Sequence, residues 1–219
     1  MEPQNLVRRL FARPEAGPAI LLALLIVIFT AINPAFMSVL NISNTLAFTV
    51  ELGLIALAMT LLMTAGEFDL SVGAVFGLTP VLMWGLFNSG SMPLLASFAI
   101  AISIASLIGV VNGWFVTALK IPSFLVTLGM LLVARGTALF ITDGFPQRTW
   151  SASGEWLASL LVGDVRLGPL RLYMSLFWFV VVARVLHYVL TGTRVGNWIQ
   201  AAGGNANAAT ARGDRKSVV

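Results

Sequence analysis

Six apolar stretches, at residues 19–32, 45–63, 70–87, 94–119, 122–141 and 172–190, occupy most of this 219-residue chain. A helix rises 1.5 Å per residue, so about 20 such residues cross the roughly 30 Å hydrocarbon core of a bilayer. Hydrophobic residues make up 58% of the chain and charged ones 10%, whereas a soluble domain is about 45–50% apolar and about 25% charged. The mean hydropathy of +0.92 points the same way. In lipid the backbone must satisfy its own polar groups, which a helix does within one segment. The expected fold class is therefore all-α: a polytopic membrane helix bundle of about six spans.

Thirteen Lys and Arg against nine Asp and Glu make the chain basic. Such an excess suits nucleic acid when the cations cluster, but here they are scattered along the flanks of the apolar stretches, where they orient membrane spans. Membrane lipid is expected as a partner and nucleic acid is not. With no Cys and His187 as the lone histidine, neither a disulfide framework nor a zinc site is expected.

The arrangement a bilayer tolerates least is TAGEFDLSVGAVFG, residues 64–77. It sets Glu67 and Asp69 among Gly66, Gly73 and Gly77, between two apolar stretches. A carboxylate at the centre of a span costs roughly 2.5–3.5 kcal/mol on insertion scales, so it is expected to face a cavity, a partner or water. The glycines permit non-helical backbone. The stretch reads as a helix break at 64–70, with the carboxylates at a polar surface or beside a solute path. A plain loop fits as well, with Asp69 as the N-cap of a helix starting at Leu70 and Ser71 in its first turn. Asn112, near the inner end of the fourth stretch, and Arg135, within the fifth, join Glu67, Asp69 and Ser71 as candidate translocation or helix-break residues. Arg135 is expected to form a structural ion pair, and Glu51 to pair with a neighbouring helix or reach the interface.

Arg8, Arg9 and Arg13 mark residues 1–18 as a cytoplasmic segment, and Lys120 marks another cytoplasmic turn. The stretch 19–32 reads as an uncleaved first span, since no small-residue cleavage site precedes Asn33 and Pro34. Residues 19–190 then form the membrane domain. Residues 143–171, with Trp150 and Trp156, read as an external connection holding a short surface helix at 155–162. His187 reads as an interfacial histidine. Residues 191–213 read as a cytoplasmic element of two short helices, the first ending at Gly203 and Gly204, the second capped by Asn205.

Three segments resemble the permease subunits of ribose-type sugar importers of the ATP-binding-cassette family. In residues 66–73 that family reads Gly-Gly-Ile-Asp-Leu-Ser-Val-Gly, and this chain has Glu67 and Phe68 at the second and third places. Residues 112–144 resemble its Asn-Gly, Pro-x-Phe, Thr-Leu-Gly and Arg-Gly pattern. Residues 193–209 are similar to its Thr-Arg-x-Gly and Gly-Gly-Asn segment. The resemblance implies a subunit of the bacterial inner membrane that works as a pair, receives a sugar from a periplasmic binding protein and is driven by a cytoplasmic ATPase. The third segment resembles the part that docks on that ATPase, which makes Arg194, Gly196, Gly203, Gly204 and Asn205 the coupling candidates. No Gly-x-x-x-x-Gly-Lys-Ser/Thr loop occurs in the chain, so no ATP hydrolysis and no cofactor are expected of it. Related permeases for branched-chain amino acids or nucleosides share parts of this architecture, and a non-transporting scaffold or receptor subunit is the other class left open. Family members continue with further spans where this chain stops. Residues 214–219, DRKSVV, can be encoded by GATCGGAAGAGCGTCGTG, a common sequencing-adapter sequence, and are expected to be a non-native tail on a C-terminally truncated permease.

Overall fold

The computed structural model describes residues 13–14, 16–90, 92–145 and 156–211, and does not describe the side chains of 167 and 205–211. Most of the segment 1–18, Trp150 and the tail 214–219 lie outside the described residues. All six apolar stretches are helical: α1 (Ala16–Ile32), α2 (Val39–Thr64), α3 (Val72–Asn88), α4 (Leu94–Ala118), α5 (Ser123–Thr142) and α7 (Met174–Gly192). Four of them, α2, α4, α5 and α7, are long and apolar enough to cross a membrane. At 17 residues each, α1 and α3 reach only about 25 Å. The expectation of six full spans thus resolves into four full-length helices and two shorter apolar ones.

Burial is inverted relative to a soluble protein. The largest fully buried side chains among the described residues are only serines, Ser43, Ser71 and Ser97, while Phe140 is 85% and Leu52 72% exposed. Lipid tails are as apolar as leucine, so helices gain little by hiding large side chains from them. They associate instead through small residues that let backbones approach and through polar groups that bond across helices. The α2–α7 contact follows this rule, because the Phe179 ring lies where a side chain on Gly53 would be.

α3 packs against both α4 and α5, and α2 packs against α7. Between α5 and α7 lie α6 (Trp156–Val162) and a two-stranded hairpin, β1 (Asp164–Leu167) and β2 (Leu170–Tyr173). The short surface helix is present. The hairpin was not expected from the sequence, where Asp164, Gly168 and Pro169 read only as connection. Gly168 takes a positive φ of 62° at the turn, and Asp164 pairs antiparallel with Tyr173. The Asp164 carboxylate bridges Arg166 at 3.4 Å and Arg171 at 3.2 Å, which places an anion between two cross-strand arginines.

The two short helices expected after residue 191 are one. α8 (Arg194–Ala211) runs unbroken through Gly203, Gly204 and Asn205. Two consecutive glycines weaken a helix by about 1 kcal/mol each relative to alanine, but packing on α7 and α2 supports this one.

Candidate functional site at the helix break

α2 ends in a glycine-terminated motif. Gly66 has φ +82°, its N–H donates to Met63 O at 3.0 Å, and the Glu67 N–H reaches back to Leu62 O at 3.2 Å. This pair of reversed bonds satisfies carbonyls that a helix end leaves open, and glycine enters the left-handed region without a Cβ clash. The chain then runs without regular structure through Glu67, Phe68 and Asp69 and re-enters a helix at Val72.

That start is two residues later than a helix capped by Asp69 requires. Ser71 occupies the cap position and makes no capping bond with its side chain. Asp69 instead closes an Asx turn: its Oδ1 accepts from the Ser71 N–H at 2.7 Å and from the Ser71 hydroxyl at 2.6 Å. Having given its proton to the carboxylate, the Ser71 oxygen accepts from Asn112 Nδ2 on α4 at 3.1 Å. The directions in this relay follow from Asp69, which as a carboxylate can only accept. They fix the Asn112 amide with Nδ2 toward Ser71. Asn112 is 5% exposed, and its Oδ1 is the only buried side-chain N or O atom among the described residues without a hydrogen-bond partner. Thus three of the candidate residues, Asp69, Ser71 and Asn112, form one chain of hydrogen bonds linking the break to α4.

A cavity of about 300 Å³ opens beside this relay, walled by Glu67, Asp69, Asn112, Thr117, Lys120 and Thr127 among others. Phe68 holds the break against α5 by donating its N–H to Ser123 Oγ at 3.3 Å. A second cavity of about 410 Å³ shares Asp69, Gly109 and Asn112 with the first and reaches Thr79 and Glu51. Glu51 stands twelve residues into α2, roughly 18 Å from its start, so the two adjoining cavities, mostly apolar in their lining, run from the helix break toward the middle of α2.

α8 closes the other side of the break. A Cβ on Gly203 would overlap the Thr64 carbonyl oxygen, and one on Gly66 would lie 3.6 Å from the Gly203 Cα. The contact is backbone on backbone, and Ala202 of the same helix lines the first cavity. At the start of α8, the Thr193 hydroxyl oxygen caps the helix by accepting from the Gly196 N–H at 3.2 Å. Gly196 is buried against the Val189 and Leu190 carbonyls with no space for a side chain. Gln200 Nε2 donates to Leu190 O at 2.8 Å and ties α8 back onto α7.

The remaining candidates lie apart. Arg194 is exposed at the first turn of α8. Gly204 has open space where its Cβ would be, and Asn205 lies within the helix, not at a cap. Arg135 is exposed on α5 beside a groove with Gly73 and Gly77 in which no acidic residue lies. It forms no ion pair with any described residue, since both salt bridges among them belong to Asp164. The expected pair fails because the carboxylates of the break line a different cavity from the one beside Arg135. Sequence reasoning missed Gly109, Thr117 and Thr127 as walls of the first two cavities. Their only signal was small or hydroxyl-bearing residues within apolar stretches, which also occur wherever two membrane helices touch.

Fold and site together define a polytopic membrane protein in which Asp69, Ser71 and Asn112 are joined by hydrogen bonds at an interrupted helix pair. The chain belongs to the family described as the branched-chain amino acid transport system / permease component, whose model matches residues 41–217. Membership makes it a permease component and not an enzyme. Over 192 residues it is 33% identical to the ribose import permease protein RbsC of Haemophilus influenzae, covering 87% of this chain and 58% of that protein. It is 31% identical to the xylose/arabinose import permease protein XylH of Sulfolobus acidocaldarius over 85% of this chain and 52% of that protein. It is 29% identical to the galactose/methyl galactoside import permease protein MglC of Escherichia coli K12 over 91% of this chain and 62% of that protein. The chain therefore spans little more than half the length of these relatives. The ribose-type likeness read from the three motifs widens accordingly to sugar-import permeases of several kinds. No solved structure matches the chain.

Proposed function

We propose that this chain is the membrane-spanning portion of a permease subunit of an ATP-binding-cassette importer that carries a monosaccharide across the inner membrane of a bacterium. The observation that carries the reading is the similarity, along 85–91% of the chain, to import permeases named for ribose, xylose/arabinose and galactose. The family description names branched-chain amino acids, which makes their import the second reading. The domain plan that accompanies it has residues 1–18 cytoplasmic, 19–190 in the membrane and 191–213 as the coupling element, with the amino terminus, the helix break and α8 on the cytoplasmic side.

The partners are a cytoplasmic ATPase, a second permease subunit and a periplasmic solute-binding protein. α8 suits the coupling role because its Gly203 rests directly on the backbone at the end of α2. A push on α8 would be transmitted to the break without the slack of flexible side chains. Reconstitution of the permease with the proposed ATPase and binding protein tests the reading. ATP-dependent uptake of labelled ribose, xylose or galactose is expected; uptake of leucine in place of all three would establish the second reading. Reporter fusions test the orientation, since a reporter active only outside the cell must be silent after Gly192 and active near Trp156.

A further inference from the structure

α7 turns one stripe of its surface away from the bundle. Phe177, Val180, Arg184, His187, Tyr188 and Thr191 follow the three-and-four spacing of a single helix face and are all exposed, while Phe179, on another face, packs over Gly53 of α2. No described element covers the stripe, so within a span it faces hydrocarbon. Its first half, Phe177 and Val180, is apolar as lipid requires. Its second half is not. Arg184 stands ten residues into α7 and eight before its end at Gly192, about 15 Å and about 12 Å from the two ends. It forms no ion pair with any described residue, since both salt bridges among them belong to Asp164. His187 and Tyr188 lie one turn on, about 5–6 Å away between Cβ atoms, and bring an imidazole and a phenol, both able to donate hydrogen bonds. No Asp or Glu occurs from residue 165 to 213, so α7 and α8 hold no carboxylate for these donors. Arg194, exposed in the first turn of α8, adds a second cation two residues beyond α7. A charge within a span is costly unless compensated. On a surface that faces hydrocarbon, the anion within reach is the phosphate of a phospholipid, toward which the flexible arginine stem can extend. A guanidinium holds phosphate through two parallel bonds, and basic groups where a span meets one leaflet attract acidic headgroups.

We propose that the end of α7 adjoining α8 is a binding site for one anionic phospholipid, its phosphate held by Arg184, His187 and Tyr188 and its acyl chains lying along Val180 and Phe177. Charge complementarity selects the occupant. A zwitterionic lipid brings an ammonium for which the cluster has no negative partner, whereas a lipid of net negative charge meets only donors and cations. An acidic protein surface would suit Arg194, but Arg184 lies between Val180 and Val185, which are 47% and 54% exposed on the side of the hydrocarbon, beyond the reach of a water-soluble partner. The Tyr188 ring occupies the space where a side chain on Gly192 would be, so the lipid sits where α7 hands over to α8. The site does not depend on which solute the chain carries.

The purified full chain, stripped of lipid in dodecyl maltoside, is titrated with phosphatidylglycerol or with phosphatidylcholine of the same acyl chains, and bound lipids are counted by native mass spectrometry. One phosphatidylglycerol per chain is expected to bind about fivefold or more tighter than phosphatidylcholine, the effect of one cation near an acidic headgroup. Arg184→Gln is expected to reduce that preference below about twofold and Arg184→Lys, which keeps the charge, to retain most of it. Arg166→Gln removes an exposed cation from the hairpin before α7 and is expected to leave the preference unchanged. The chain contains no cysteine, so Thr191→Cys places a single thiol on the same stripe without touching Arg184. Phosphatidylglycerol is expected to slow its modification by N-ethylmaleimide and phosphatidylcholine is not, a result that decides the matter even where Arg184→Gln does not fold. Equal affinity for the two lipids, a preference that survives Arg184→Gln, one lost equally in Arg166→Gln, or a thiol protected equally by both lipids would overturn the proposal. Displacement of the lipid by glycerol 3-phosphate would overturn it too, by assigning the cluster to a soluble phosphate.

Discussion

Two fully buried serines, Ser43 near the start of α2 and Ser71 at the start of α3, are used in opposite ways. At the hairpin end, Ser43 donates to Val39 O at 2.9 Å and accepts from the Arg171 N–H at 3.2 Å, joining backbone to backbone. At the break end, Ser71 donates to the Asp69 carboxylate and accepts from the Asn112 amide, joining side chain to side chain across helices. The first arrangement closes on itself. The second ends in an acceptor without a donor. Hydrogen bonds that only hold a fold together are normally completed, because an orphaned buried group costs about as much as a bond contributes. The contrast is between a fastening at the hairpin whose bonds are complete and a relay at the break that leaves one buried acceptor unpaired.

The sharpest way to break the comparison is at α8. Gly203→Leu is expected to force α8 off the end of α2, because even a Cβ overlaps the Thr64 carbonyl. If the chain couples to an ATPase and a binding protein as proposed, solute-stimulated ATP hydrolysis in the reconstituted system should fall tenfold or more while capture of solute by the binding protein is unchanged. Gly204→Leu, one residue on and facing open space, should leave stimulation within about twofold. Equal effects of the two would mean that backbone contact at the break does not carry the coupling.

Asp69 comes next. Asp69→Ala removes the acceptor of two hydrogen bonds and frees the Ser71 hydroxyl to turn, with an expected loss of about 1.5–3 kcal/mol, read as a lower melting temperature in detergent. Asp69→Asn keeps a carbonyl oxygen in the same place and should stay within about 1 kcal/mol of the parent. A severe Asp69→Asn would show that the charge itself is needed.

At the hairpin end the effects should be smaller and should not reach transport. Ser43→Ala leaves the Arg171 N–H without its acceptor, for an expected cost of about 1 kcal/mol and faster hydrogen exchange at that amide. Asp164→Asn, at a carboxylate that is 31% exposed and bridges two arginines, should cost no more than about 0.5–1 kcal/mol, and less still at high salt. Loss of transport from either variant would erase the distinction between the two ends.

Much of this was legible in the chain itself. The apolar stretches became helices with ends displaced by six residues at most, because a long run with at most one charged residue has few alternatives in lipid. The break was legible from Gly66, Glu67 and Asp69, since neither left-handed backbone nor paired carboxylates continue a membrane helix. The role of Asp69 was misplaced by two residues: an aspartate before a helix reads as a cap whether it closes the helix or the Asx turn preceding it, and Leu70 and Ser71 carry no mark that distinguishes the two. The unbroken course of α8 ran against local propensity, with neighbouring helices outweighing two glycines.

By itself the sequence determined a membrane helix bundle with one interruption and a polar helix after the last span, because hydrophobic length and backbone chemistry are local properties of the chain. Only the tertiary structure decided that Asn112 is turned by Ser71 to present an unpaired acceptor, that Gly203 and not Gly204 meets the end of α2, and that Arg135 stands apart from every described carboxylate. Each of these depends on which face of one helix meets another. In a bilayer that choice is made by small residues, and their chemistry is nearly the same on every face.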